Sequence, residues 1–273
     1  MHSIGSLLSA SPLPALEARM LMMHALGKTR IQLITQSDYQ LGETEQKVYR
    51  DLEQRRIKGV PIAYLTGQRE FFGLMLHVTP DVLIPRADTE LLVELALQYA
   101  PPNANLLDLG TGSGAIAVAI AHQRADLQVW ASDISPAAVA VARHNARTHS
   151  CAIQFIESDW YRMLPTMRWE TIVSNPPYIE NHDPHLTQGD LRFEPINALT
   201  DHADGLSAYR QLISGAASRL TRDGWLLLEH GYDQASAVRD LLAAHHFTQI
   251  QSWHDLAGIE RVSGGQIKIL PPI

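Results

Sequence analysis

The sequence predicts an α/β fold: a doubly wound, mostly parallel sheet, preceded by a small helical domain and joined to it by a β-hairpin linker. Three observations predict it. From residue 104 onward, short apolar runs alternate with stretches of helical pattern, which is how a parallel sheet with helices on both faces is written. The first of those runs leads directly into Gly110-Thr111-Gly112-Ser113-Gly114. The residues before 70 read as helical. The expected domains are 1–69 (helical), 70–85 (linker hairpin) and 86–273 (sheet).

In the helical part, Ser11-Pro12 opens a helix with proline at its first position. Leu13, Leu16, Met20 and Met23 recur at helical spacing, and Gly27 is placed to close the helix at C′. A second helix is expected over 29–36 and a third over 44–58, halted by Gly59-Val60-Pro61. The basic cluster Arg55, Arg56, Lys58 reads as a solvated helix end favoured by the macrodipole. The stretch EFFGLMLHVTPDVLIP (70–85) is apolar and extended, and reads as two short strands around a Thr-Pro-Asp turn. Strands are then expected at 105–109, 128–132, 153–156, 171–174, 225–228, 247–253 and 261–270. Helices are expected at 115–122, 136–148 (capped by Ser135-Pro136), 206–220 and 233–245.

The chain has 273 residues, 45% hydrophobic and 19% charged, ordinary for a globular protein large enough to need no staple. A single cysteine, Cys151, permits no intramolecular disulfide and fits a reducing cytoplasm. No signal peptide and no membrane span is expected, since no basic leader with a long apolar stretch is present. Residues 85–273 carry 13 basic and 21 acidic residues, a balance of −8. Such a domain is poorly suited to neutralising phosphates, which disfavours bare DNA as a partner.

The run LLDLGTGSGAIAVAIA (106–121) is strand, glycine turn and helix. Gly110 and Gly112 let the backbone turn and approach a ligand, and Gly114 lets the helix pack on the strand. Asp133 ends the next strand, where a carboxylate can accept from both ribose hydroxyls of a nucleoside. The G-x-G-x-G spacing points to S-adenosylmethionine; NAD is the alternative. Asp108 either meets the ligand's ammonium or serves the turn. Trp160 either stacks on adenine, with Asp159 accepting from the exocyclic amine, or fills core.

The segment VSNPPYIE (173–180) ends a buried strand in Asn175-Pro176-Pro177-Tyr178. Proline cannot donate to a ladder, so the strand stops there. In a doubly wound sheet this strand lies beside the first, at the switch point where ligands bind. The Asn175 side-chain oxygen and the Pro176 carbonyl are two rigid acceptors suited to a planar –NH₂, and Tyr178 offers a flat face to it. A carboxamide nitrogen is a poor nucleophile, so such a site works by gripping both N–H groups and aiming the nitrogen. The acceptors then bind more tightly as the nitrogen becomes cationic. No metal is required.

LDLGTGSGAIA, the acid at 133, SDW (158–160) and VSNPPYI (173–179) together resemble the PrmC/HemK family. REFFGLMLHV, LIPRADTE (83–90), DPHLTQGDLRFEP (183–195) and LLLEHG (226–231) extend the resemblance over nearly the whole chain. It implies a Rossmann-like class I S-adenosylmethionine-dependent methyltransferase domain. The implied reaction is methylation of the side-chain amide nitrogen (N5) of the Gly-Gly-Gln glutamine of peptide chain release factors, leaving S-adenosylhomocysteine. By that analogy Gly110, Thr111, Gly112, Ser113, Gly114, Asp133, Trp160 and Asn175 bind cofactor. Asn175, Pro176, Pro177 and Tyr178 hold the substrate, with Asn175, Pro176 and Tyr178 catalytic. The helical domain would help recognise the release factor, and a cytoplasmic monomer is expected. One departure is Ala87, where the family usually has proline.

Other candidates read blandly. His182-x-x-His185 lies in an expected loop without cysteine partners, so no metal is expected. Arg86, Asp88 and Glu90 fix the linker or shape the substrate channel. Cys151 is inert packing or surface. Glu229 is a site wall or an ion-pair member. The chain's own Gly264-Gly265-Gln266 falls on an expected terminal strand and reads as coincidence. The competing functions are a DNA or RNA adenine-N6 methyltransferase, whose substrate presents the same planar –NH₂, and a non-catalytic adenosine-binding scaffold.

Overall fold

The computed structural model describes residues 2–268, which form two compact units: 2–68 with 188–193, and 69–187 with 194–268. The first holds α1 (Ile4–Ala10), α2 (Ala15–Leu26), α3 (Arg30–Thr35), α4 (Glu43–Ile57) and α5 (Ile62–Thr66). Its core gathers Ile4, Leu21, Met22, Tyr49 and Leu52. A capping box starts α3: Gln32 N donates to Thr29 Oγ1 while Thr29 N donates to the Gln32 side chain. Gly27, at φ +61°, closes α2 as expected.

Two expectations fail in this unit. The helix begins at Ala15, not Ser11, and α1 precedes it, capped by Ser3. Leu16 and Met20 are exposed, and α2 instead buries Ala18, Leu21 and Met22. The sequence of α2 is apolar on more than one face, so spacing alone does not say which face its neighbours cover. Arg56 is not a solvated helix end. It is 19% exposed and makes a two-pronged pair with Glu17 at 2.7 and 2.8 Å.

The second unit opens within the hairpin β1 (Gln68–Phe71) and β2 (Leu74–His77), from Arg69 onward. Its turn is Phe72-Gly73, both at positive φ (51° and 76°), the twist a two-residue hairpin demands. Thr79-Pro80-Asp81 lies beyond the hairpin, and no second strand follows it. A 3-10 turn, Ala87–Thr89, leads into α6 (Glu90–Tyr99), a helix the pattern reading did not assign. The chain continues through β3 (Asn105–Leu109), α7 (Ala115–Gln123), β4 (Gln128–Asp133), α8 (Pro136–Thr148), β5 (Ile153–Glu157), β6 (Trp169–Ser174), α9 (Ile196–Leu199), α10 (Ser207–Arg219), β7 (Leu220–Glu229), α11 (Ala235–Ala244), β8 (Phe247–His254) and β9 (Glu260–Ile267). The expected last strand ran to 270; positions 269 and 270 lie outside the described residues.

The seven-stranded sheet has the order β5-β4-β3-β6-β7-β9-β8, parallel except that β9 runs antiparallel between β7 and β8. Winding proceeds from β3 outward through β4 and β5, then resumes at β6 on β3's other side. That is a switch point. Alternation sorts the side chains: Val173, Trp225 and Leu227 join the core on one face, and Ile172, Leu226 and Leu228 the core on the other. Among the described residues no helix is long and apolar enough to cross a membrane.

Candidate active site

The three central strands β3, β6 and β7 end side by side. Beyond β3 the glycine turn is pinned to β4, with Gly110 N and Thr111 N both donating to Ser132 O at 2.9 Å. Gly110, Gly112 and Gly114 all take positive φ (73°, 55° and 81°), but for different reasons. A Cβ on Gly112 would meet nothing within 4 Å, whereas one on Gly110 would lie 3.5 Å from the Trp160 ring. A Cβ on Gly114 would stand 2.9 Å from the Ala142 Cβ of α8. Gly114 therefore serves the approach of α7 to α8, not the helix-on-strand contact expected.

A cavity of about 260 Å³ opens at these strand ends, and Gly110, Gly112, Asp133, Trp160, Asn175 and Pro177 all line it. The structure thus brings the glycine turn and the asparagine–proline corner to one space. Thr111, Ser113, Gly114, Pro176 and Tyr178 are not on that wall. Thr111 is buried and donates from Oγ1 to Asp108 Oδ2 at 2.6 Å. The Ser113 carbonyl accepts from Asn145 at 2.8 Å. Pro176 is buried, and the carbonyl of half-buried Tyr178 accepts from Gln234 Nε2 at 3.0 Å. Burial pushes the Tyr178 phenol far above its usual range.

Asp133 takes N–H bonds from Gly112 (2.8 Å, Oδ2) and Ser135 (2.9 Å, Oδ1). Burial raises its pKa, and these N–H groups oppose the rise. Each carboxylate oxygen retains acceptor capacity toward the cavity. Asp108 is fully buried, and its Oδ1 has no partner. Burial lifts its carboxyl to about 7, partly countered by the Thr111 hydrogen bond; its Oδ2 serves the turn, and it does not line the cavity. Trp160 sits at φ +44°, rare for a bulky residue. Ser158 holds it there, donating from Oγ to Trp160 O at 2.7 Å and accepting from Met163 N at 3.0 Å. Asp159 also lines the cavity.

At the corner, pairing ends with Ser174, opposite Leu109 on β3 and Leu228 on β7. The Ser174 hydroxyl donates to Leu109 O at 2.6 Å, and Pro176 and Pro177 have no N–H to continue. Asn175 Nδ2 donates to Thr89 Oγ1 at 3.3 Å. That bond turns the donor end of the amide toward the start of α6.

Sequence reasoning missed Thr89, although it lies inside the 83–90 segment. Its neighbours there are structural. Asp88 is 3.5 Å from Arg261, Glu90 Oε1 accepts from Phe72 N at 2.9 Å, and Arg86 pairs with buried Glu194, which also accepts from Ile84 N at 3.2 Å. Also missed were Asp81–Leu83 and the Pro195, Asn197, Ala198 group, which complete the wall from loops with no spacing rule. His185 Nδ1 is 2.6 Å from Asp183. Among the described residues no cluster of three His, Cys, Asp or Glu could hold a metal.

Residues 87–190 match the family model described as methyltransferase small domain, and residues 2–67 the PrmC N-terminal domain. The release factor glutamine methyltransferase of Burkholderia pseudomallei (strain K96243) is 56% identical over 270 residues, covering 96% of this chain and 95% of that protein. That of Neisseria gonorrhoeae (strain ATCC 700825 / FA 1090) is 49% identical over 261 residues, covering 95% and 96%. The chain belongs to the release factor glutamine methyltransferase family. Among solved structures, a methyltransferase from Pyrococcus furiosus aligns with TM-score 0.57 at 15% identity, covering 80% of this chain and 99% of that one. That likeness speaks for the fold alone, the Rossmann-like class I methyltransferase fold. The cavity's chemistry fits S-adenosylmethionine, the cofactor expected from the glycine-turn spacing. A partly buried acid with free acceptor capacity, an indole and open glycine backbone stand around one space, beside an amide.

Proposed function

We propose that this chain transfers a methyl group from S-adenosylmethionine to the side-chain amide nitrogen of the glutamine in the Gly-Gly-Gln motif of peptide chain release factors. The observation that carries the reading is that Asn175 shares one cavity wall with Gly110, Gly112 and Asp133 while its Nδ2 is engaged by Thr89. When bound, the cofactor supplies an electrophilic methyl group on a sulfonium. Everything else falls to the chain. Asp133 accepts from the ribose hydroxyls and Trp160 packs against the base. Asn175 Oδ1 and the Pro176 carbonyl accept the two amide hydrogens and Pro177 packs against the flat carboxamide; Pro176 and Tyr178, which do not line the cavity, take part only where the substrate reaches beyond that wall. These acceptors align the nitrogen and strengthen as it gains positive charge, which is stabilisation of the transition state over the ground state; the nitrogen's surplus proton then leaves through these acceptors or water. The partner in this reading is a protein and not bare DNA, in keeping with the −8 balance of residues 85–273. The enzyme works as a cytoplasmic monomer.

The test is tandem mass spectrometry of a release factor incubated with this protein and S-adenosylmethionine, with DNA in a parallel radiolabel assay. A methyl group on the Gly-Gly-Gln glutamine is expected; label in DNA alone overturns the reading. Asn175→Ala should hold cofactor affinity within a few-fold and lower methyl transfer by about 10² or more, the scale for losing one transition-state acceptor. Unchanged turnover in that variant removes Asn175 from the mechanism.

A further inference from the structure

Glu229 is the last residue of β7 and is 2% exposed. The final pair between β6 and β7 is Ser174 with Leu228. One step further along these parallel strands stand Asn175 and Glu229, at the same level of the sheet. Alternation puts both on the face that carries Val173 and Leu227, against which α6 packs. Thr89, at the start of α6, binds Asn175 and is among the groups that act on Glu229. The amide of Asn175 gives a hydrogen to Thr89 Oγ1, and the Thr89 hydroxyl has a hydrogen of its own to place. Glu229 Oε2 is a buried oxygen with no partner at ordinary hydrogen-bond geometry. A buried carboxylate in this position is unexplained by core packing and touches no cavity wall.

We propose that Glu229 is a positioning residue for Asn175: its acceptor-only carboxylate draws the Thr89 hydroxyl hydrogen and the Asn175 –NH₂ toward itself, so that Asn175 presents its oxygen to the cavity. This rests on the proposed role of Asn175 as an acceptor for the substrate amide. The physical argument is one of polarity. A primary amide has a donor end and an acceptor end of nearly equal shape, so packing alone does not choose between them. An oxygen with only lone pairs behind it does choose, because the flipped amide would set Oδ1 against carboxylate oxygens in a dry site. Protonation reverses the choice: a neutral carboxyl has an O–H to give, and the amide oxygen is then its natural acceptor. Burial raises the Glu229 pKa to about 7, opposed by the nearby Thr89 hydroxyl and Asn175 amide. The other titratable groups facing it are Asp88, which raises it, and Arg261, which lowers it, with the phenols of Tyr178 and Tyr209 nearby.

The experiment has two arms on the full-length protein. In the first, the Asn175 side-chain amide signals are followed by nitrogen–proton NMR from pH 5.5 to 8.5 in wild type and Glu229→Gln. The wild-type signals should titrate with a midpoint near 7, and the variant's should not. Signals that stay put in wild type, or move identically in both, overturn the proposal whatever the substrate is. In the second, methyl transfer to a release factor is measured for wild type, Glu229→Gln and Glu229→Leu. Wild-type kcat should fall as pH drops through about 7, with the cofactor Kd nearly constant. Glu229→Leu should lose about 10–100-fold in kcat, the scale of a misaligned acceptor, and Glu229→Gln should recover part of that loss and lack the acid limb. Wild-type kcat in Glu229→Leu overturns the proposal; should that variant fail to fold, the Glu229→Gln profile decides. A wild-type protein that leaves release factor unmethylated, with its NMR titration intact, would instead overturn the function.

Discussion

Replacing Gly114 and Gly112 by alanine, one at a time, separates the part of the glycine turn that builds the fold from the part that meets a ligand. Both residues sit at positive φ (81° and 55°), where a side chain costs about 1–2 kcal/mol. Both substitutions also stiffen the unfolded chain, which returns about 0.4–1 kcal/mol. The difference lies in what the new methyl group touches. At Gly114 it would stand 2.9 Å from Ala142 Cβ and 3.1 Å from Ala142 Cα. Those are fixed atoms of a neighbouring helix, and easing α7 off α8 adds the roughly 1–3 kcal/mol typical of overpacking. At Gly112 nothing lies within 4 Å. Gly114→Ala should therefore lose about 1–4.6 kcal/mol and Gly112→Ala about 0–1.6 kcal/mol.

For a unit of this size, 1 kcal/mol is about 2–4 °C in Tm. Differential scanning calorimetry should place Gly114→Ala roughly 2–18 °C below wild type and Gly112→Ala within roughly 6 °C. Isothermal titration with S-adenosylmethionine, run well below either midpoint, should give the opposite order. Gly112 lines the cavity and Gly114 does not, so Gly112→Ala should weaken binding by about tenfold, as a side chain placed where backbone must approach a ligand does. Gly114→Ala should stay within a few-fold. A Gly114→Ala midpoint within 2 °C of wild type would refute the packing argument, and equal losses of affinity would refute the division of labour.

Two shorter predictions follow from the same neighbourhood. Trp160→Ala should weaken S-adenosylmethionine binding by about 3–10-fold, the value of an aromatic contact; an unaltered Kd would mean the indole only fills space. Asp108 has a folded-state pKa raised from 3.8 to about 7, so its favourable contribution is complete below the unfolded pKa and is lost as pH rises through about 7. Asp108→Asn should accordingly gain on wild type between pH 4 and pH 8, by at most about 4 kcal/mol. Denaturant melts at both pH values check this, and a pH-independent gap between the two proteins counts against a buried charge at 108.

The parts legible in the sequence are those that backbone chemistry dictates. The strands from β3 to β7 were marked by short apolar runs ending in turn residues. Ser135-Pro136 announced α8, since a hydroxyl cap and a proline at the first position each do one job there. Gly110, Gly112 and the Pro176-Pro177 pair were legible because only those residue types suit those backbones. What the pattern hid depends on partners remote in sequence. The buried face of α2 is chosen by its neighbours. The hairpin turn puts a phenylalanine at φ +51°, where Asn or Asp would have signalled it. Thr89 and Glu229 became meaningful only when register brought β6 and β7 to end together under α6. No spacing rule links such positions.

The tripeptide Gly264-Gly265-Gln266 shows the same point from the other side, because here the motif is legible and its obvious meaning is wrong for this backbone. It lies in β9, between β7 and β8, with Gly264 opposite Leu227, Gly265 opposite Leu226 and Gln266 opposite Trp225. A Cβ on Gly264 would come within 2.5 Å of Leu226 O, and one on Gly265 within 3.1 Å of Phe247 Cβ. The glycines are there to let strands and side chains close up. Gln266 has both ends of its amide engaged: Nε2 donates to Asp223 O at 2.7 Å, and Oε1 accepts from Gln249 at 2.8 Å. Presenting it to any active site would mean lifting a central strand out of two ladders and leaving their N–H and C=O groups unpaired. A release factor's motif faces no such barrier if it sits in an exposed loop. Protein incubated with S-adenosylmethionine alone should therefore show unmodified Gln266 by tandem mass spectrometry. A methyl group there would mean that β9 leaves the sheet on the timescale of catalysis, and would overturn the view that these glycines serve packing.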